Sequence, residues 1–192
     1  MSRYDNLFTL IDQHKCTTLL EIGTFRGDTA LKMIKCAQKH GDVTYYGFDM
    51  FESMTPDVYK EELSKGPTTG FHYTDISIKL KVTGANVALI KGNTRQTLPE
   101  FIEGDRSPID FIFVDGGHSL ETIESDWKCV QQLMSKDTIV VFDDYFTNRE
   151  DFGCKPLVDS LDKDRFNVEH LEPTQYYHET DLNIRVVKVT LK

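Results

Sequence analysis

The sequence predicts an α/β protein built on a doubly wound, Rossmann-like, mostly parallel sheet of seven strands, with an antiparallel hairpin at the carboxyl-terminal edge. Three observations predict it. The short apolar runs Phe111-Ile112-Phe113-Val114 and Ile139-Val140-Val141-Phe142 are each closed by acidic residues, and such runs read as strands buried on both faces of a parallel sheet. Strand-like and helix-like stretches alternate along most of the chain, the rhythm of repeated βα units. The last two strand patterns follow each other with only a polar segment between them, so they read as an antiparallel pair.

Taken in order, residues 4–14 place Leu7, Leu10 and Ile11 at helical spacing, and residues 17–22 form a first strand. That strand ends in the turn Glu21-Ile22-Gly23-Thr24-Phe25-Arg26-Gly27. Residues 28–40 carry Leu31, Met33, Ile34 and Ala37 on a helix closed by Gly41. A second strand over 43–48 ends at Asp49. Residues 50–85 are less regular, punctuated by Pro56, Gly66, Pro67 and Gly70, with a helix over 75–82. They read as an insertion that covers a site at the sheet edge. Phe51, Met54, Tyr59, Phe71 and Tyr73 are either its lining or ordinary packing.

A third strand over 87–91 leads through Gly92-Asn93-Thr94 into a helix reaching Phe101. The fourth strand covers 109–114. Ser119 is the N-cap candidate of a helix over 119–134, with Ile123, Trp127 and Val130 on its apolar face. A fifth strand over 138–142, a helix near 154–161, and strands over 166–171 and 183–191 complete the pattern. Tyr145, Phe146 and Arg149, just past the fifth strand, are candidate ligand contacts. With no internal repeat or linker, residues 1–192 read as one domain.

Composition narrows the function. A formal charge of −9 argues against a nucleic-acid partner, because phosphate backbones call for a basic face. The four cysteines are scattered without a C-x-x-C pair, so they read as buried free thiols in a reducing setting. The amino terminus lacks the apolar core of a signal peptide, and no run approaches the ~20 apolar residues that span a bilayer. A cytoplasmic protein without a membrane partner is expected, and a homo-oligomer is compatible with the sequence.

The strand ends carry the chemistry, because ligands of open α/β sheets bind at the carboxyl-terminal edge. Asp115, Asp143 and Asp144 fall there. Single acidic residues at strand ends are commonly turn formers. Three at two adjacent strands repel one another unless a cation sits among them, and a hard divalent ion such as Mg²⁺ prefers oxygen donors. The glycine turn after the first strand lets a ligand approach the backbone, although it is also an ordinary βα turn. It lacks the dinucleotide pattern G-x-G-x-x-G, since Phe25 stands at the middle glycine. Asp49 is suited to accept hydrogen bonds from ribose hydroxyls, or to cap a helix.

These segments, Glu21 to Thr29, Gly47-Phe48-Asp49, Phe113 to Ser119 and Phe142 to Tyr145, resemble class I S-adenosylmethionine-dependent methyltransferases. Within them the resemblance is to metal-dependent small-molecule O-methyltransferases of the catechol and macrolide-sugar types. It implies that Gly23 and Thr24 pass beneath the methionine part of the cofactor, with Glu21 supporting the turn. Thr29 would meet the carboxylate, Asp49 the ribose, and Asn93 and Thr94 the adenine. Asp115, Asp143 and Asp144 match metal-binding positions. An acid at Asp144, where the catechol type has an amide, resembles the sugar-modifying branch.

His118 stands where the catechol type has a lysine base, three residues after Asp115. Its ordinary pKa suits proton removal near neutrality, while a helix cap or an orienter of a carboxylate is the plainer role. The expected function is methyl transfer from S-adenosylmethionine to a hydroxyl of a small polyhydroxylated acceptor, sugar-like or catechol-like, with Asp115 and His118 catalytic. The alternatives are a NAD-dependent oxidoreductase and a non-catalytic cofactor-binding module.

Overall fold

Parallel pairing of apolar strands organises the structure, a computed structural model that describes residues 2–63 and 70–192. Gly66 and Pro67 lie outside the described residues. Seven strands form one sheet in the order β3-β2-β1-β4-β5-β7-β6. They are β1 (Thr18–Ile22), β2 (Thr44–Asp49), β3 (Asn86–Lys91), β4 (Phe111–Val114), β5 (Ile139–Phe146), β6 (Phe166–Tyr177) and β7 (Leu182–Leu191). The first five run parallel, and β7 pairs antiparallel with both β5 and β6. Every residue of β4 and β5 is buried, as strands covered on both faces require. The strand order reverses between β1 and β4, the switch point where such sheets open a crevice.

The helices are α1 (Asp5–His14), α2 (Asp28–Ala37), α3 (Pro56–Leu63), α4 (Tyr73–Lys81), α5 (Thr94–Glu103), α6 (Leu120–Leu133) and α7 (Lys155–Asp159). Helices α1, α2 and α4 cover one face, where Ile11, Met33 and Leu80 pack with Leu19, Tyr45, Phe113 and Val141. On the other face α5, α6 and α7 bring Leu98, Trp127 and Val158 against Leu20, Phe48, Ile112 and Phe142. Neighbouring strand residues thus serve opposite cores, as the two-residue period of a strand demands. Ser119 is the N-cap of α6, its hydroxyl accepting from Thr122 N–H at 3.3 Å. Among the described residues no helix is long and apolar enough to cross a membrane.

Four details depart from the sequence expectations. The helix predicted over 28–40 ends at Ala37, with Gln38 rather than Gly41 at its C-cap. Helix α3 was not anticipated; it opens on Pro56, whose fixed φ suits a first helical position. β5 continues past Phe142 to Phe146 because β7 keeps pairing with it, Tyr145 opposite Arg185 and Phe146 opposite Ile184. Residues 172–181, expected as a loop, are largely strand in β6. One solvated face is normal for an edge strand, so polar residues there do not exclude pairing.

Trp127 is the aromatic hub of the α6 face, with ring centroids 5.6 Å from Phe142 and 5.2 Å from Phe166. Trp127→Ala is expected to lower unfolding free energy by about 3–5 kcal/mol through lost burial and a residual cavity. The denaturant midpoint measures this, and a change below ~1 kcal/mol would show that the neighbouring core refills the space.

Candidate active site

Close approach of two strand ends builds the floor of the site. Gly23 has φ +92°, and a Cβ there would lie 1.9 Å from the backbone oxygen of Asp115, so only glycine lets the end of β1 meet the end of β4. Gly23 N–H donates to Phe48 O at 2.8 Å, tying the same turn to β2. Beneath it Glu21, 1% exposed, accepts the Tyr45 hydroxyl, and burial pushes its carboxyl up to about 8. Thr24 is buried with its hydroxyl 3.3 Å from that of Tyr45. Thr29 is half-buried in the first turn of α2.

Asp49 ends β2 with both oxygens engaged. Oδ2 accepts Phe25 N–H at 2.7 Å and Oδ1 accepts Phe51 N–H at 2.6 Å. The Met50 N–H is a third donor to the carboxylate, which has about four lone-pair sites, so capacity remains for a ligand. Asn93 is the N-cap of α5, its Oδ1 accepting Arg95 N–H at 2.9 Å, and Thr94 is the first residue of that helix. Because Phe48 pairs with Ile22 and Lys91 with Asp49, these residues share one sheet edge.

Nearby, two buried side-chain atoms lack a hydrogen-bond partner among the described residues: Arg95 Nε on α5 and Asp126 Oδ1 on α6. Asp126 is 1% exposed, and burial pushes its carboxyl up to about 7 against the pull of Thr94 and Arg95.

At the ends of β4 and β5 the structure brings Asp115, His118 and Asp144 together, one potential ligand atom from each lying within 4.8 Å of the others. His118 Nε2 is 2.6 Å from Asp144 Oδ2. Asp144 raises the imidazole pKa although burial works the other way, and His118 in turn holds Asp144 below its usual value against burial. The His118 backbone is clamped as well, its N–H donating to Glu62 O at 3.0 Å and its carbonyl accepting Gly153 N–H at 2.9 Å. Asp115 is pushed well above the usual carboxylate range by burial and by the charges of Asp143 and Asp144.

Asp143 is placed differently from the sequence expectation of a third free ligand. Arg3 Nε and Nη2 donate to its two oxygens at 2.7 Å each, and Tyr4 OH donates to Oδ2 at 2.7 Å. The Tyr4 hydroxyl also lies 3.4 Å from Asp115 Oδ2. Burial and Asp144 raise the Asp143 pKa while Arg3 and Tyr4 oppose the rise.

Sequence reasoning missed Arg3, Tyr4 and Glu62. Glu62 is buried at the end of α3, its carboxylate accepting Ser119 N–H at 3.1 Å and the Thr122 hydroxyl at 2.6 Å. It therefore sits at the positive end of α6. Asp126 did leave a signal, a lone acid within the Ile123–Trp127–Val130 stripe.

Of the candidate acceptor contacts, Phe51 is fully buried edge-on to Tyr73, and Tyr145 is buried with its hydroxyl on Asp159. Arg149 pairs with Asp151. Phe71 meets Phe25 edge-on at 4.9 Å, while Phe146 and Phe152 flank the His118 ring. All four cysteines are buried and unpaired.

Residues 20–145 match the family described as "Methyltransferase domain". No curated protein matches the chain. Among solved structures it is similar to an O-methyltransferase from Bacillus cereus in complex with SAH, with TM-score 0.69, 14% identity, and coverage of 99% of this chain and 80% of the other. It is similar to the O-methyltransferase TomG from Streptomyces achromogenes, involved in tomaymycin synthesis and in complex with SAM, with TM-score 0.66, 14% identity and coverage of 99% and 79%. It is also similar to an rRNA methylase from Streptococcus thermophilus, with TM-score 0.63, 15% identity and coverage of 98% and 94%. These likenesses establish a shared fold.

Two buried acids give the protein a pH dependence. The folded pKa values of Glu21 and Asp126 lie above those of exposed carboxylates, so the folded state holds the extra protons. Their contribution is full at pH below about 4 and is lost as pH rises through about 7 and 8. Between pH 5 and pH 8, Asp126→Asn is expected to lose ~2–4 kcal/mol less stability than the wild type. Denaturation at the two pH values measures it, and an unchanged difference would mean that Asp126 is already ionised in the folded protein.

Proposed function

Because the chain belongs to the methyltransferase-domain family, we propose that it transfers a methyl group from S-adenosylmethionine to a hydroxyl oxygen of a small polyhydroxylated acceptor, sugar-like or catechol-like. The observation that carries this reading is the convergence of Asp115, His118 and Asp144 beside the glycine turn. A methyl-donor site and a proton-accepting group then share one strand edge. The named activities of the similar O-methyltransferases support the choice of oxygen.

The residues fit such a cofactor. Gly23 lets the turn after β1 pack directly on the backbone of Asp115, and among the described residues Arg95 Nε and Asp126 Oδ1 are a buried donor and acceptor without partners near Asn93 and Thr94. Gly23 and Thr24 would lie under the methionine part, Glu21 would hold their turn, Thr29 would take the carboxylate, and Asp49 would take the ribose with its remaining lone-pair capacity. A nicotinamide dinucleotide fits less well, since Phe25 occupies the place of the middle glycine. An rRNA acceptor fits poorly with a charge of −9.

His118 is the general base. Nε2–H donates to Asp144, which fixes the ring and leaves Nδ1 as the nitrogen that takes the acceptor proton. The residues also fit a divalent cation, since Asp115 is a half-buried acid that forms no ion pair among the described residues and its donor atom lies near those of Asp144 and His118. Held by Asp115 and Asp144, Mg²⁺ would acidify the acceptor hydroxyl and offset the alkoxide charge. Asp143, the third aspartate expected from the sequence, is bonded to Arg3 and lends its charge to the site from there.

The chain is read as one domain over residues 1–192, with residues 50–85 as a cap on the acceptor side, latched to α6 through Glu62. Its four unpaired thiols suit a cytoplasmic location.

His118→Ala is expected to cut kcat by ~10²–10⁴ while the dissociation constant for S-adenosylhomocysteine stays within error. Chelation of divalent ions should likewise lower turnover and leave that constant intact. Calorimetry with S-adenosylhomocysteine and NAD, followed by methyl transfer over a panel of hydroxylated acceptors, measures each part. Binding of NAD alone, or unchanged kcat in His118→Ala, would overturn the cofactor or the base assignment respectively.

A further inference from the structure

Arg3 reaches across 140 positions of sequence to make a forked ion pair with Asp143, the two side chains 6% and 0% exposed. Asp143 Oδ1 accepts Arg3 Nε; Oδ2 accepts Arg3 Nη2 and Tyr4 OH. Three of about four lone-pair sites on the carboxylate are filled. The guanidinium itself is fixed on its other side, where Nη1 donates to Gln175 Oε1 at 3.2 Å and to the Tyr177 hydroxyl, both on β6. The Tyr4 ring lies 4.5 Å from the guanidinium carbon. A planar fork of this kind holds its geometry better than an ammonium would.

We propose that Arg3 is the resident cation of the site and closes Asp143 to metal, so that the protein binds a divalent ion through Asp115 and Asp144 more weakly than an open three-aspartate site would. This rests on the cation assignment in the proposed function. Two effects act together. Arg3 occupies the oxygens that a metal would need, and its fixed positive charge repels a second cation brought beside Asp143. The ion pairs divide the acidic cluster: Asp143 pairs with Arg3 and Asp144 with His118, while among the described residues Asp115 forms no ion pair and has the Tyr4 hydroxyl 3.4 Å from its Oδ2.

The test is calorimetric titration of Mg²⁺ and, separately, S-adenosylhomocysteine into the wild type, Arg3→Gln, and the double variant Arg3→Gln/Asp143→Asn. Arg3→Gln should tighten Mg²⁺ binding on the order of tenfold or more, since a like charge a few ångströms away is removed. The double variant should return to the wild-type affinity, because the gain runs through the Asp143 carboxylate. Thermal melts confirm folding; if Arg3→Gln fails to fold, Arg3→Lys replaces it, and its single-point contact should tighten binding by a smaller factor. Equal or weaker Mg²⁺ binding in the Arg3 variant, or no Mg²⁺ binding in either protein, overturns the proposal. Loss of S-adenosylhomocysteine binding in the wild type would strike the methyl-donor reading alone.

Discussion

Charge compensation among Asp115, Asp143 and Asp144 is the constraint on which the surrounding structure depends. Carboxylates buried this closely cannot all stay ionised unless cations or hydrogen-bond donors balance them. The chain answers with partners drawn from distant segments. Arg3 and Tyr4 come from the entry to α1, and His118 from the loop after β4. Gln175 and Tyr177, at the far end of β6, hold Arg3 in turn. The antiparallel hairpin is therefore more than an edge cover, because its long arm fixes the residue that neutralises Asp143. Asp115 forms no ion pair among the described residues, and burial together with the charges of Asp143 and Asp144 raises its pKa.

Much of the fold was legible because it rests on local pattern. The apolar runs of β4 and β5, the glycine turn after β1 and the Ser119 cap each act within a few residues, so spacing alone announces them. Asp115, His118 and Asp144 were legible for the same reason, as strand-end residues of neighbouring strands. Arg3 was not. Nothing near it in sequence marks it as buried, since its partner lies on a strand laid down much later in the chain. Glu62 was hidden likewise, because its meaning comes from the helix end that α3 meets. The full length of β6 was obscured by polar residues, which an edge position tolerates and a composition rule penalises, and that of the interior strand β5 by the buried acids Asp143 and Asp144.

The fold is shared by proteins whose names attach them to a natural-product pathway and to ribosomal RNA. Acceptor choice cannot come from the common sheet, then, and must come from what is mounted on it. In this chain the mounted parts are the Arg3–Tyr4 entry, helix α3 with Glu62, and the far end of the β6–β7 hairpin. The first two touch the strand-end cluster or the loop that carries His118, and the hairpin holds Arg3. Charge balance at the strand ends is thus built from these few mounted parts.

β5 advances three residues, from Phe142 to Tyr145, while β7 advances two, and Asp144 takes φ +55° within that bulge. Val141 belongs to one core and Phe142 to the other, so strict alternation would send Asp143 and Asp144 to opposite faces. The extra residue breaks the alternation where the two acids sit. The Asp-Asp pair and the register of the last strand are therefore one structural unit. A deletion that restored even pairing with β7 would leave the fold readable and both acids present in the sequence, yet separate Asp144 from His118 in space.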